Sequence, residues 1–237
     1  MKHSLILLLL CSVSFAQTKP ATSKSGTATG AATKGTTAKT PAQAPAKAAP
    51  AKAAANLLNP KSLNAKAPDV FMARLETTKG NMTVRVERAL SPNGVDRFYN
   101  LVRAGFYDNT YFFRCLDFMA QIGISSRPDV SRAWANAEIP DDPVKETNRR
   151  GTISMATSGP NSRTTQFFIN RINNARLDPL GFSPLGEVIE GLEVIDAIYS
   201  GYGDDPDQSQ LTTQGEAYLN RYFPRLDKIV KATILPR

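Results

Sequence analysis

Tyr111 to Gly123 reads YFFRCLDFMAQIG, and the role of its one cation decides how the chain is understood. Most of its side chains are apolar, yet Arg114 stands directly behind Tyr111, Phe112 and Phe113. A guanidinium stays protonated at any ordinary pH and is rarely buried without a partner. Taken alone, Arg114 would snorkel from a strand to solvent or pair with Asp117, and Phe118, Met119 and the more distant Phe168 would be core residues. That reading changes once the stretch is set beside two others. Ile153 to Asn170 reads ISMATSGPNSRTTQFFIN, and Leu177 to Ile198 reads LDPLGFSPLGEVIEGLEVIDAI.

The surroundings of these stretches are short strand-like runs. Phe71–Thr78 and Asn81–Arg88 flank Lys79-Gly80, and in the second run Met82, Val84 and Val86 alternate with Thr83, Arg85 and Glu87. That is the period of a half-buried strand, and the pair predicts a hairpin. Ser91-Pro92 and Gly105 bracket a helical pattern, with Ser91 as N-cap and Val95, Phe98, Leu101 and Val102 on one face. Runs starting at Gly151, Thr165, Pro184 and Lys228 are rich in β-branched and aromatic residues and predict further strands. Leu192–Ser200 and Gly215–Phe223 predict helices. Many short strands without a βαβ rhythm indicate an antiparallel barrel or sandwich.

Farther out, residues 1–16 carry Lys2, an apolar run from Leu5 to Val13 and small residues before Gln17, the pattern of a secretory signal peptide. The run is too short to span a bilayer, and Leu10 before Cys11 argues against lipoprotein anchoring. Residues 17–67 hold 16 Ala, 8 Thr and 8 Lys, with no aromatic or acidic residue. Such a segment has too little apolar surface to offset its ordering entropy, so a disordered tether with a reach of about 40 Å is expected. The domain proper is expected over 68–237.

Composition narrows the chemistry. The only histidine, His3, lies in the signal peptide, as does Cys11, one of two cysteines. The mature chain therefore lacks the residue on which Ser-His-Asp and Cys-His triads and His-containing zinc sites depend. Cys115 has no partner for an internal disulfide and reads as a small buried hydrophobe. The formal charge of +8 belongs to the tether, because only 20 basic residues against 21 acidic ones follow position 67. A nucleic-acid-binding domain loses its main support. The cluster GDDPDQ from Gly203 lacks the glycine and distant glutamate of a calcium loop and reads as a solvated turn.

In order, Arg114 followed by Phe118-Met119-x-Gln121, then Met155-Ala156-x-x-Gly159-Pro160-Asn161, then Gln166-Phe167-Phe168-Ile169 resembles the cyclophilin family of peptidyl-prolyl isomerases, from about Phe71 through Tyr199. The resemblance implies a mainly β fold: a closed eight-stranded antiparallel barrel capped by two helices, with a surface groove for Xaa-Pro segments and no cofactor or metal. It makes Arg114 the catalytic arginine and Gln121 its polar partner. Phe118, Met119, Phe168 and Leu177 form the proline pocket, and Ala156 and Thr157 line the groove beside it, Thr157 in place of a usual Asn. Phe182 stands where the family has a groove His, and Arg176 where it has the Trp that helps bind cyclosporin.

The residue types suit the reaction independently. Rotation about a prolyl bond breaks amide resonance against a barrier of about 18–20 kcal/mol and returns a lone pair to the nitrogen. A rigid, always-protonated donor aimed there stabilises the twisted state more than the planar one. No proton moves, so histidine is not needed.

One departure bears on the site directly. Only Cys115, Leu116 and Asp117 separate Arg114 from Phe118, one residue fewer than in the family. In a strand such a change flips side chains unless a bulge or tighter turn absorbs it, so either Arg114 or the Phe118-Met119 pair is open to displacement. The expected function is isomerisation of Xaa-Pro bonds in secreted or envelope proteins by a periplasmic or secreted monomer, with proline-containing polypeptides as partners, no nucleic acid and no stable membrane insertion after signal removal. A non-catalytic proline-binding or chaperone-like module is the alternative.

Overall fold

The computed structural model describes residues 57–236. The expected signal peptide and the tether as far as residue 56 lie outside the described residues.

The hairpin read from the sequence is formed by β1 (Val70–Thr77) and β2 (Gly80–Glu87), with Thr77 opposite Gly80. Gly80 takes φ 134°, a backbone angle that residues with a Cβ rarely adopt, so the tight reversal falls on it. Met82, Val84 and Val86 are fully buried, the inward half of the alternation. α1 (Pro92–Arg103) buries Val95, Phe98, Leu101 and Val102 over this sheet. Its expected cap is corrected. The Ser91 side chain makes no capping bond and instead donates to Pro184 O. Asp142, from a distant loop, accepts from Asn93 N and Gly94 N at 3.0 and 2.8 Å. Its carboxylate satisfies the free amides at the positive end of the helix, a role no local pattern reveals.

The remaining strands are β3 (Thr110–Tyr111), β4 (Arg114–Leu116), β5 (Met119–Ile122), β6 (Thr152–Met155), β7 (Phe167–Asn170), β8 (Pro184–Glu190) and β9 (Lys228–Ile234). They form one antiparallel, curled sheet in the order β3-β9-β1-β2-β8-β6-β7-β5-β4. The two ends of that order, β3 and β4, are separated along the chain by Phe112 and Phe113 alone. The stretch Thr110–Leu116 thus pairs with β9 through its first part and with β5 through its last, and the sheet's two ends meet in it. Taken as one bent strand, it brings nine strands to the expected eight.

Inside the curl, Phe98, Tyr107 and Phe167 pack with ring centroids 5.1 to 5.6 Å apart. Tyr107 donates to Thr165 O at 2.9 Å, which satisfies the one polar atom it carries inward.

Three features lie beyond what the sequence pattern indicates. Residues 57–67, assigned above to the tether, pack onto the domain. Trp134 of α2 (Pro128–Trp134) donates to Leu57 O at 2.8 Å, Asn100 exchanges hydrogen bonds with both backbone groups of Ala65, and Asp96 accepts from Ala67 N. The partners are non-local, so the segment's own poor composition conceals its order. α2 itself has only seven residues and no clear apolar period. Finally, the helix expected over 192–200 forms as a short α3 (Val194–Ala197), and the one expected over 215–223 is preceded by a helix the pattern does not indicate, giving α4 (Gln208–Gln214) and α5 (Glu216–Tyr222). These last two build a second apolar cluster in which Leu211, Tyr218, Leu219 and Leu226 cover Tyr111, Phe113 and Ile124. The GDDPDQ turn leads into α4, where the Asp207 side chain caps the helix by accepting from Gln210 N at 2.8 Å.

Candidate active site

Pleating sorts the residues of β4, β5, β7 and β6 onto two faces. Arg114 is registered opposite Gln121, and Gln121 opposite Phe168. Directly opposed residues share a face, so these three stand in one row on the outer surface. The neighbouring row, Cys115, Ala120, Ile169 and Ile153, points inward and is almost wholly buried. Burial pushes the Cys115 thiol up to about 12, so it is an inert packing group.

The missing residue between Arg114 and Phe118 is absorbed by a tight turn. Leu116 pairs with Met119, leaving Asp117 and Phe118 as a two-residue hairpin loop between β4 and β5. Neither Arg114 nor the Phe118-Met119 pair leaves the outer surface. Phe118 is held at the loop by its carbonyl, which accepts from Arg171 N and Asn174 Nδ2.

All nine residues that the resemblance assigns to the groove line one depression of about 330 Å³: Arg114, Gln121, Phe118, Met119, Ala156, Thr157, Phe168, Leu177 and Phe182. Met119 and Phe168 are buried to within a few per cent and form its floor. Phe182 stands edge-on to Phe168, centroids 5.5 Å apart, so the wall where the family has His is apolar. Arg114 Nη1 donates to Gln121 Oε1 at 3.2 Å, and Gln121 Nε2 donates to Gln166 Oε1 at 2.7 Å. The guanidinium is thereby oriented over an apolar floor, with further donors that take no acceptor among the described residues.

Two side chains differ from expectation in what they do. The Thr157 hydroxyl turns into its own loop, bonding Gly159 O and Ser162 Oγ, so it shapes the wall rather than offering a donor. Arg176 is not among the groove-lining residues. Its guanidinium stacks 4.6 Å from the Phe118 ring centroid and covers the outside of that ring.

Sequence reasoning missed the support beneath the groove. Asn148, Asn170 and Asn174 are buried and joined side chain to side chain. Asn148 Nδ2 donates to Asp178 Oδ1 and Phe182 O, and its Oδ1 accepts from Ser154 Oγ. This network fixes the 3₁₀ turn Ala175–Leu180, which carries Leu177, and the loop after it, which carries Phe182. The run of asparagines at 170, 173 and 174 was the available signal. Ser158, Ser162, Thr164, Gln166 and Gln208 also line the groove without having been singled out.

Comparison with known proteins supplies a context for this geometry. A family model described as cyclophilin type peptidyl-prolyl cis-trans isomerase/CLD matches residues 72–215. The chain is 38% identical over 131 residues to peptidyl-prolyl cis-trans isomerase A of Dickeya dadantii (strain 3937), covering 52% of this chain and 68% of that protein. It is 32% identical over 137 residues to peptidyl-prolyl cis-trans isomerase B of Escherichia coli (strain K12), covering 54% of this chain and 83% of that one. Among solved structures, a Cryptosporidium parvum cyclophilin type peptidyl-prolyl cis-trans isomerase is similar, with a TM-score of 0.54 at 20% identity over 71% of this chain and 99% of that one. The same Cryptosporidium protein, solved in the presence of the dipeptide ala-pro, gives a TM-score of 0.53. At that identity the likeness is one of fold.

Proposed function

Since the chain belongs to the cyclophilin-type peptidyl-prolyl cis-trans isomerase family, we propose that it turns over Xaa-Pro bonds of secreted or envelope proteins and so assists their folding, with Arg114 as the group that acts on the twisting amide. The observation that carries the role of Arg114 is the row Arg114–Gln121–Phe168, in which a fixed donor stands beside an apolar floor. The dipeptide used with the Cryptosporidium relative agrees with a ligand of this class.

In the proposed course, the pyrrolidine ring sits on Met119 and Phe168 with Leu177 and Phe182 as walls, which exclude water from the bond that rotates. As the bond twists, conjugation is lost and the nitrogen becomes pyramidal. Arg114 donates to the lone pair that appears only then, and Gln121 holds the guanidinium plane so that little reorientation is needed. The bond is never broken and no proton is transferred. Uncatalysed rotation takes on the order of tens to hundreds of seconds, so acceleration is easily measured. Phe118 and Leu177 contact the ring, while Ala156 and the backbone around Thr157 guide the residues that precede proline.

The envelope location rests on residues 1–16 and on the lysine-rich segment that follows. Amino-terminal sequencing of the exported chain tests it, with Gln17 expected as the first residue. The catalytic reading is tested by cis-to-trans conversion of an Xaa-Pro peptide. Acceleration that is lost in Arg114→Ala supports it, whereas peptide binding without acceleration would reduce the protein to a proline-binding module.

A further inference from the structure

The polar row of the groove extends past the residues that the family resemblance assigns. Beyond the Gln121–Gln166 bond of 2.7 Å, Gln166 Nε2 donates to Gln208 Oε1 at 3.4 Å. Gln208 is the first residue of α4 and lines the groove. It therefore belongs to the segment 199–227, which is anchored by its own apolar cluster. Two glutamine amides link Arg114 to a third on an element outside the row of strands that carries the site.

The sense of these bonds follows from the arginine. A guanidinium has donors only, so Gln121 must present Oε1 to Arg114. Its Nε2 then faces Gln166, whose Oε1 must accept. That leaves Gln166 with Nε2 outward, and the acceptor waiting there is Gln208 Oε1. Each amide has a flipped orientation of nearly the same shape, with oxygen and nitrogen exchanged. Flipping Gln166 would set Nε2 against Nε2 of Gln121, donor against donor, and draw Gln121 off the arginine. Gln208 is the acceptor that makes the unflipped state the favoured one.

We propose that Gln208 is a positioning residue for the isomerisation, acting through Gln166 and Gln121 on the Arg114 guanidinium. The segment from Tyr199 to Asp227 thereby sets the rate at the groove besides bordering it. The inference rests on the proposed role of Arg114. Because the arginine acts on the twisted state, a loosened guanidinium lowers kcat and leaves KM nearly unchanged. Direct contact between Gln208 and substrate would instead move KM.

The test compares the full chain with Gln208→Met, Gln208→Lys and Gln208→Glu, using kcat and KM for an Xaa-Pro peptide and melting temperature. Met keeps the bulk without an acceptor, Lys offers donors alone, and Glu offers acceptors alone. Loss of one neutral hydrogen bond predicts a fall in kcat of about 3- to 10-fold for Met. Lys should be as low or lower, and Glu should recover most of the lost rate. KM should stay within about twofold and melting temperature should hold, since Gln208 is exposed. In a Gln166→Met background, Gln208→Met should add nothing, because the link it terminates is already gone.

Equal kcat in all four proteins, a change confined to KM, matching behaviour of Glu and Lys, or additivity in the double variant would each overturn the inference while the wild-type rate upholds the isomerase. A wild-type chain that fails to accelerate isomerisation would remove the proposed function and this inference with it.

Discussion

Arg114 and Gln121 face each other directly across the β4–β5 pair, and the 3.2 Å bond between them joins the two ends of the tightest hairpin in the groove. The two-residue loop at Asp117-Phe118 fixes their register. This separates a functional arginine from one that snorkels. Arg114→Ala should lower kcat/KM by about 10²-fold or more with the fold retained, as for loss of one preorganised donor. Arg114→Lys should restore part of the rate, because an ammonium lacks the planar donor pair. Isomerisation rate and melting temperature on both variants check this, and a destabilised but fully active Ala variant would make Arg114 a wall residue.

Activity should be nearly flat between about pH 6 and 8. The chain has no histidine beyond His3, and burial lifts the Cys115 thiol well above that window. A bell-shaped kcat/KM profile centred near neutrality would contradict the proton-free mechanism.

Stability, unlike activity, should carry a pH signature at Asp108. Burial raises this carboxyl above its usual value, although Ala232 N donates to it at 2.9 Å. With a raised native pKa the folded chain binds more protons than the unfolded one, so this group's contribution to stability falls as pH rises through the ordinary carboxylate range. Asp108→Asn keeps the acceptor and removes the charge. It should raise the melting temperature at pH 7 by about 1–3 °C, and the gain should vanish below about pH 3.

The asparagine network beneath the groove should matter to both fold and activity. Asn148→Ala deprives Ser154 and Asn170 of an acceptor and Asp178 of a donor in a fully buried site. A loss of about 2–4 kcal/mol is expected, readable by urea denaturation. Phe182 and Leu177 should loosen with it, raising KM for Xaa-Pro peptides more than lowering kcat.

Cyclosporin should inhibit weakly, in the micromolar range or above, because Arg176 lacks the indole ring and its directed N–H, and its guanidinium is stacked on Phe118. Arg176→Trp should tighten inhibition by about tenfold. Nanomolar inhibition of the natural chain would show that another residue supplies the contact.

The legible part of this protein was the part written in short-range pattern. The β1–β2 hairpin follows from alternation at Met82, Val84 and Val86, and the groove residues from three motifs whose strands happen to be neighbours. What stayed hidden is carried by pairs far apart in sequence. The Asp142 cap of α1, the docking of Leu57 on Trp134 and the α4 wall at Gln208 all depend on partners that no local window contains. The short turn before Phe118 was visible as a spacing, but only the observed register shows that a tight hairpin absorbs it.

The bent stretch Thr110–Leu116 has a consequence for the order of assembly. β9, last in the strand sequence, lies between β1 and β3, pairing Ile234 with Ala73 and Ile229 with Thr110. Until β9 docks, the stretch bearing Arg114 has its strand pairing on the β5 side and lacks the one at Thr110-Tyr111. A chain lacking Lys228–Ile234 would carry every groove residue and still have an unclosed catalytic seam. Maturation of this catalyst is therefore coupled to the longest-range pairings in its own fold, so activity should be acquired late in folding and in one step.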